Sequence, residues 1–151
     1  MKNRVVLIGC LLVLVSCEQK KEKEAISVMK ETNNLIGSWK MIYADILEND
    51  SLQIKDLSAS EFIKIINDDH FAFFNQRKGT SEGFYAGGGQ YILKGDQYTE
   101  TLEYIGAENL RGHDFSFTVE IKGDTLIQYG LEEIKEQNIK RNVTEKYIRI
   151  K

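Results

Sequence analysis

The chain has 151 residues, with 20 Lys and Arg against 23 Asp and Glu, so its formal charge at pH 7 is −3. A mildly acidic chain with scattered lysines lacks the basic face that nucleic-acid phosphates demand, so we expect no nucleic-acid partner. Its two histidines and two cysteines show no metal-ligand spacing, and we predict neither a metal nor another cofactor.

The first residues have the features of an export signal. Lys2 and Arg4 precede an apolar run, Val5–Val15, that is too short to span a bilayer as a helix. Leu14–Cys17 then resembles the lipobox of bacterial lipoproteins, in which the sulfur of Cys17 receives diacylglycerol and the chain is cleaved before it. The alternatives are an ordinary secretory signal with an incidental cysteine and a short anchor that is not cleaved.

The lipobox resemblance implies a protein of the bacterial cell envelope. Acyl chains on Cys17 would hold it at a membrane, which we expect to be the outer membrane, on its periplasmic or surface face. Nearly every residue of Glu18–Glu24 is charged, and such a segment cannot bury apolar surface. We therefore divide the chain into a signal peptide (1–16), a lipidated charged tether (17–34) and a barrel domain (35–151). One or two helical turns are expected at Ala25–Thr32.

Beyond residue 36 the sequence alternates between apolar and polar residues with a period of two, which is typical of half-buried antiparallel strands. The pattern predicts an all-β fold of eight strands, with room for up to ten. The eight predicted strands are Ser38–Ala44, Glu61–Asn67, His70–Gln76, Gly89–Lys94, Gln97–Ile105, His113–Lys122, Thr125–Gly130 and Val143–Ile150.

Short connections indicate that neighbouring strands pair in sequence order. Asn67–Asp69, Lys94–Asp96 and Lys122–Asp124 carry the Asn, Asp and Gly that tight hairpin turns need. The chain contains no proline, and closing the sheet would remove exposed strand edges. We therefore predict an antiparallel up-and-down barrel.

Four segments between or beside the strands are less regular. Asp45–Ser60 is a long polar connection in which Ser58–Glu61 could begin a short helix, and Glu132–Arg141 is expected to be a loop or short helix. Arg77–Ala86 is expected to be a hairpin connection, with a flexible lid as the alternative. Gly87–Gly89 should let the chain bend sharply at the rim of the barrel.

Alternation also predicts which side chains face the interior. Phe115, Phe117, Val119 and Ile121 share one face of their strand, and on the preceding strand Tyr98, Glu100, Leu102 and Tyr104 share the bulkier face. From these faces and the neighbouring strand we choose six candidate ligand-binding residues: Tyr91, Tyr98, Glu100, Tyr104, Phe115 and Phe117.

Glu100 is the most informative of these residues, because an ionised carboxylate inside a barrel is costly unless it is paired or hydrogen-bonded. It is either a polar anchor for a ligand or part of a structural network with Tyr hydroxyls and a buried Arg or Lys. A general-acid role would need a partner such as His70, which follows a hairpin turn where side chains are commonly exposed. We therefore predict no catalytic residue. His113 is expected to be a surface histidine.

The first and last predicted strands should be neighbours in a closed barrel. Arg149 would then lie on the Trp39 ring and close the floor of the barrel through a cation–π contact of about 0.5 to 2 kcal/mol. This pairing of Gly37–Trp39 with a final-strand Arg resembles the lipocalin or calycin pattern.

More closely, four segments are similar to a family of bacterial lipocalin-like lipoprotein domains of unknown function. They are Gly37–Lys40, Lys64–Ala72, Gly87–Tyr91 and Tyr98–Glu100. The resemblance spans most of residues 36–151 and implies a calycin fold that binds a small apolar or amphipathic molecule. The long connection before residue 61 and the lack of disulfides depart from the broad lipocalin pattern.

Three hypotheses of function follow. The leading one is a membrane-anchored barrel that binds a small hydrophobic or amphipathic molecule. The alternative is a structural or interaction lipoprotein whose barrel is filled by its own side chains. The least favoured is a barrel enzyme that uses Glu100 as an acid or base.

The anchor hypothesis predicts that Cys17→Ser separates attachment from folding. The variant should leave the membrane fraction, because it cannot accept acyl chains on sulfur. Its circular dichroism spectrum and thermal unfolding should match those of the wild-type protein. Membrane attachment that survives the substitution would contradict the lipobox, and loss of folding would contradict the separation of anchor and domain.

Overall fold

The computed structural model describes residues 33–151. The predicted signal peptide, Cys17, the predicted helical turns at Ala25–Thr32 and nearly all of the predicted tether lie outside the described residues.

Nine β-strands account for most of the described chain. They are β1 (Gly37–Glu48), β2 (Ser51–Ile54), β3 (Ser60–Ile66), β4 (His70–Arg77), β5 (Tyr85–Lys94), β6 (Gln97–Ile105), β7 (His113–Lys122), β8 (Thr125–Ile134) and β9 (Ile139–Ile150). Two short 3₁₀ helices, Glu108–Leu110 and Lys135–Gln137, lie in the β6–β7 and β8–β9 connections.

Eight of these strands form a closed antiparallel barrel. β3 to β9 pair in sequence order, and β1 closes the sheet by pairing with both β3 and β9. The long β1 uses its first residues against β3 and its last residues against the extra strand β2, while β9 runs along nearly all of it. The predicted all-β barrel is therefore confirmed.

The long connection after β1 differs from the prediction. The first strand does not stop at Ala44 but continues to Glu48, and a tight turn leads directly into β2. Asn49 and Asp50 make this turn with φ angles of 49° and 61°, which Asn and Asp tolerate better than most residues. The helix expected at Ser58–Glu61 is absent, since Ser60 begins β3.

The Glu132–Arg141 segment is also more regular than predicted. β8 continues to Ile134 and β9 begins at Ile139, so the two strands pair almost to their connection. The turn contains one 3₁₀ helix and ends at Asn138, whose φ of 55° lies in the left-handed region.

One end of the barrel is closed by the contact between the first and last strands. Trp39 is fully buried, and its Nε1 donates a hydrogen bond of 2.7 Å to the Leu35 carbonyl. The Arg149 guanidinium carbon lies 4.0 Å from the Trp39 ring centroid, where the sequence analysis expected it. The same guanidinium donates to the carbonyls of Asn34 and Ile36 at 2.6 and 2.7 Å. The chain entering β1 is thereby held across the closed end.

A β-bulge between β5 and β6 changes which residues face the interior. Gly88 pairs with Tyr104, but Gly89 pairs with Leu102, so Glu103 is an extra residue on β6. An extra residue reverses the alternation beyond it. Tyr104 is consequently 67% exposed on the outside, and the prediction that it faces the interior is wrong.

The glycines at 87, 88 and 89 lie within β5 and do not bend the chain at the rim. A Cβ on Gly88 would come within 2.5 Å of the Phe71 carbonyl oxygen, and a Cβ on Gly87 would meet the Phe73 ring. A Cβ on Gly89 would overlap the Thr101 carbonyl oxygen beside the bulge. These residues therefore allow close approach of neighbouring strands.

Gly89→Ala should destabilise the barrel by about 2 kcal/mol or more, because the new methyl overlaps backbone atoms that cannot move independently. Chemical denaturation with the linear extrapolation of unfolding free energy would measure the loss. Gly106→Ala is the matched control, since a Cβ there meets nothing within 4 Å, and its effect should stay within about 0.5 kcal/mol. Equal effects of the two substitutions would contradict the role given to Gly89.

Candidate functional site

The barrel encloses a partly open cavity of about 360 Å³. Its wall is largely aromatic and aliphatic, formed by Phe62, Phe73, Tyr85, Leu102, Ile105, Leu110, Phe115, Phe117 and Ile134. Its polar lining residues are Lys55, Lys64, Glu100, Gln128, Glu132, Arg141, Glu145 and Tyr147. Small-molecule sites usually combine an apolar wall with placed polar groups, and this cavity has nearly as many polar lining residues as apolar ones.

The cavity opens at the end of the barrel opposite Trp39. An outer pocket of about 390 Å³ adjoins it and shares five of its lining residues, which are Lys55, Tyr85, Glu132, Arg141 and Glu145. Arg141 lies near the start of β9 and Glu132 near the end of β8, whereas Arg149 and Thr125 lie at the opposite ends of those strands. We call this region the open end.

The six candidate ligand-binding residues separate into three groups. Glu100, Phe115 and Phe117 line the cavity. Tyr91 and Tyr98 are buried but are not among the residues that line it. Tyr104, as described above, is outside the barrel.

Tyr91 contributes to the closed end. Its hydroxyl donates to the Asn67 carbonyl at 2.7 Å and accepts from the Asn33 side-chain amide, also at 2.7 Å. Its ring centroid lies 5.1 Å from that of Tyr98. These two tyrosines therefore lie below the cavity and support its base.

A buried ion pair forms the base of the cavity. Lys64 of β3 is 2% exposed, Glu100 of β6 is 8% exposed, and the Lys64 ammonium contacts the Glu100 carboxylate. The ammonium also donates to Gln128 Oε1 of β8 at 2.8 Å. Three rings lie within 6 Å of it, those of Phe71, Tyr98 and Tyr147. Glu100 thus belongs to a structural network with a buried lysine, and it also faces the cavity.

Sequence analysis did not identify Lys64, although a signal was present. Phe62, Lys64 and Ile66 occupy alternate positions of one strand, and all three are buried. The alternation therefore placed the lysine inside, where its charge required an acidic partner.

A second acidic residue lies beside this pair. The fully buried Tyr147 donates a hydrogen bond of 2.6 Å to Glu145 Oε2. Burial raises the pKa of Glu145, although Lys64 and the Tyr147 hydrogen bond oppose the increase. Burial also raises the pKa of Tyr147 and Tyr98 well above the ordinary value, with the nearby carboxylates adding to the effect. The base therefore favours retention of a proton on Glu145.

Two further side-chain contacts occur at the open end. Arg141 Nε lies 2.7 Å from Glu132 Oε2, and both side chains are partly buried. Lys55 Nζ donates to the Tyr85 hydroxyl at 2.9 Å. Phe84, the other aromatic residue of the predicted Arg77–Ala86 connection, is exposed.

The histidines occupy different environments. His113, predicted to be a surface histidine, is partly exposed and partly buried. Its Nε2 lies 2.9 Å from the Glu133 carbonyl oxygen. This contact links β7 to β8 in the part where their backbones no longer pair, because the ladder between these strands ends at Thr118 and Tyr129. His70 Nδ1 lies 2.7 Å from Asp69 in the β3–β4 turn. Glu100 contacts Lys64 in the interior, so the structure gives no contact that would make it a catalytic pair with His70.

Within residues 33–151 no group of three or more His, Cys, Asp and Glu side chains is arranged to hold a metal ion. No helix in that range is long and apolar enough to cross a membrane.

These features define the class: an all-β domain whose closed eight-stranded barrel contains a partly open cavity with a buried ion pair. Residues 34–151 match the family of the domain of unknown function DUF4488. The chain belongs to this family. No curated protein matches it.

The raised pKa of Glu145 predicts a specific pH dependence of stability. A carboxyl group whose pKa is higher in the folded state than in the unfolded state stabilises the fold at low pH, where it is protonated in both states. This contribution is lost as the pH rises from about 4.3, the ordinary glutamate pKa, through the folded pKa. Glu145→Gln keeps an acceptor for Tyr147 but cannot ionise. Its unfolding free energy should therefore increase relative to that of the wild type across this range, as measured by denaturation from pH 2 to 8.

Glu61→Gln is the matched control, because contact with Lys40 lowers the pKa of Glu61. This variant should lose stability relative to the wild type as pH rises through the lowered folded pKa of Glu61 to about 4.3, which is the opposite sign in a lower pH range. Parallel pH profiles for the wild type and Glu145→Gln would contradict the assignment.

Proposed function

We propose that this protein is a lipid-anchored, lipocalin-like lipoprotein of the bacterial cell envelope whose barrel binds a small amphipathic molecule. The observation that carries the proposal is the cavity of about 360 Å³ inside the barrel. Cavities of roughly 300 to 1,000 Å³ with apolar walls are the common form of small-molecule sites. The ion pair of Lys64 and Glu100 gives this cavity a polar base.

Two features support the lipocalin-like part of the proposal. The eight barrel strands follow up-and-down order with β1 against β9, and Arg149 covers Trp39 at the closed end. The anchor rests on the lipobox resemblance of Leu14–Cys17, and the Cys17→Ser experiment tests it.

The cavity favours ligand binding over a scaffold role. In a barrel filled by its own side chains, the aromatic rings of β4 and β7 would meet across the interior. Here Phe73 and Phe115 both line open space. The contact between Glu100 and Lys64 also favours binding over acid catalysis, because the carboxylate is already engaged by an ammonium of the protein.

The binding proposal predicts that filling the cavity weakens binding of a neutral apolar probe, N-phenyl-1-naphthylamine. Ile105→Trp adds a large ring to the cavity wall and should raise the dissociation constant of the probe about tenfold, equivalent to 1.4 kcal/mol. Isothermal titration calorimetry on the purified mature protein would measure it. Native mass spectrometry of the same sample would show any small molecule that copurifies.

Tyr104→Trp is the matched control, since Tyr104 adjoins Ile105 in sequence but faces outside. It should leave the dissociation constant unchanged. If the probe fails to bind the wild type, or if both variants weaken it equally, binding inside the barrel is wrong.

A further inference from the structure

We infer that the bound molecule carries an anionic head group, such as a carboxylate, and that Lys55 binds this group at the open end of the barrel. The inference rests on the proposed function and specifies the chemical class of the ligand. Lys55 lines both the cavity and the outer pocket, so a group held there would lie where the two meet.

The position of Lys55 is fixed by its backbone. Its N–H donates to the Ala44 carbonyl at 2.9 Å, which ties the residue after β2 to the wall of the barrel. The following residues are held by Lys78, whose ammonium donates to the carbonyls of Leu57 and Ser58 at 3.0 and 2.9 Å. The segment between β2 and β3 therefore holds the backbone of Lys55 in one position, which reduces the conformational entropy lost when a ligand binds.

The side chain of Lys55 lies over the aromatic wall. Its ammonium is 4.8 Å from the Phe62 ring centroid and 5.6 Å from that of Tyr85, and it donates to the Tyr85 hydroxyl. An ammonium has three donors, and the hydroxyl takes one. Among residues 33–151 no carboxylate forms an ion pair with Lys55.

The other ionisable side chains that line the cavity have partners within the protein. Lys64 pairs with Glu100, and Arg141 pairs with Glu132. Glu145 accepts a hydrogen bond from the Tyr147 hydroxyl, and burial raises its pKa and so favours its neutral form. Lys55 is therefore the cation of the cavity that has no acidic partner in the described chain, and a ligand anion would supply one.

The same rings could instead attract a cationic ligand, since Phe62 and Tyr85 present aromatic faces. Such a ligand would have to displace the ammonium of Lys55 or lie beside it, with like charges in contact. An anion adds to the existing cation–π contacts without displacing them. The arrangement therefore favours an anionic head with an apolar tail along the cavity wall.

Three probes with the same tail separate these cases: decanoate, decanol and decylamine. Calorimetry on the mature wild-type protein should show decanoate binding about tenfold more tightly than decanol, the size expected of one charge-assisted hydrogen bond, and decylamine binding most weakly. Lys55→Met should bring the dissociation constants of decanoate and decanol together, and Lys55→Arg should restore the preference. Lys94→Met, which removes an exposed charge outside the cavity lining, should leave the preference intact.

The outcomes distinguish the inference from the function on which it rests. Equal binding of decanoate and decanol by the wild type, or a preference that survives Lys55→Met, would overturn the role of Lys55 while leaving ligand binding in place. Tighter binding of decylamine would show that the rings take a cation. If the neutral probe N-phenyl-1-naphthylamine and all three decyl compounds fail to bind, the proposed function fails as well.

Discussion

The buried ammonium of Lys64 is the constraint around which the interior is organised. Transferring an ammonium and a carboxylate from water into a protein costs roughly several kcal/mol for each ion, and this cost is offset only when the partners are placed well. The partners of Lys64 come from β6 and β8, which are not neighbours of β3 in the sheet. The ion pair and its amide therefore connect three separated parts of the barrel wall. This cross-barrel connection sets the depth of the cavity. On one side of it, apolar side chains surround open space, and on the other side aromatic rings are tightly packed.

The two ends of the barrel are built in different ways. At the closed end Arg149 satisfies backbone carbonyls of the chain entering β1 while it covers the Trp39 ring, so its charge is used within the protein. At the open end Lys55 has aromatic rings and one hydroxyl around its ammonium. The guanidinium at the closed end thus binds backbone carbonyls of the chain itself, whereas the ammonium at the open end has a single hydroxyl as its hydrogen-bond acceptor. Under the proposed function, this asymmetry would give a bound molecule a preferred direction.

The strands could be predicted because side-chain alternation and Gly-containing turns are local signals. The turns at Gly95 and Gly123 use left-handed glycines as expected. β2 was missed because its four residues, Ser51–Ile54, are all exposed and too few to show a clear alternation, so the segment resembled a polar loop. Lys64 was missed for a different reason: a lone lysine in a strand is usually exposed, and its partners Glu100 and Gln128 are distant in sequence. Partners of a buried charge are set by the closed barrel, which alternation within one strand does not describe.

The bulge at Glu103 shows how one glycine shapes the cavity. Under strict alternation, Tyr98, Glu100, Leu102 and Tyr104 would all face the interior, and a phenol would stand near the open end. The extra residue instead turns Tyr104 outward and places Ile105 in the wall. This arrangement needs Gly89, since any Cβ there would overlap the Thr101 carbonyl oxygen. The aliphatic surface that this strand contributes to the cavity therefore depends on a residue that has no side chain and does not line the cavity itself.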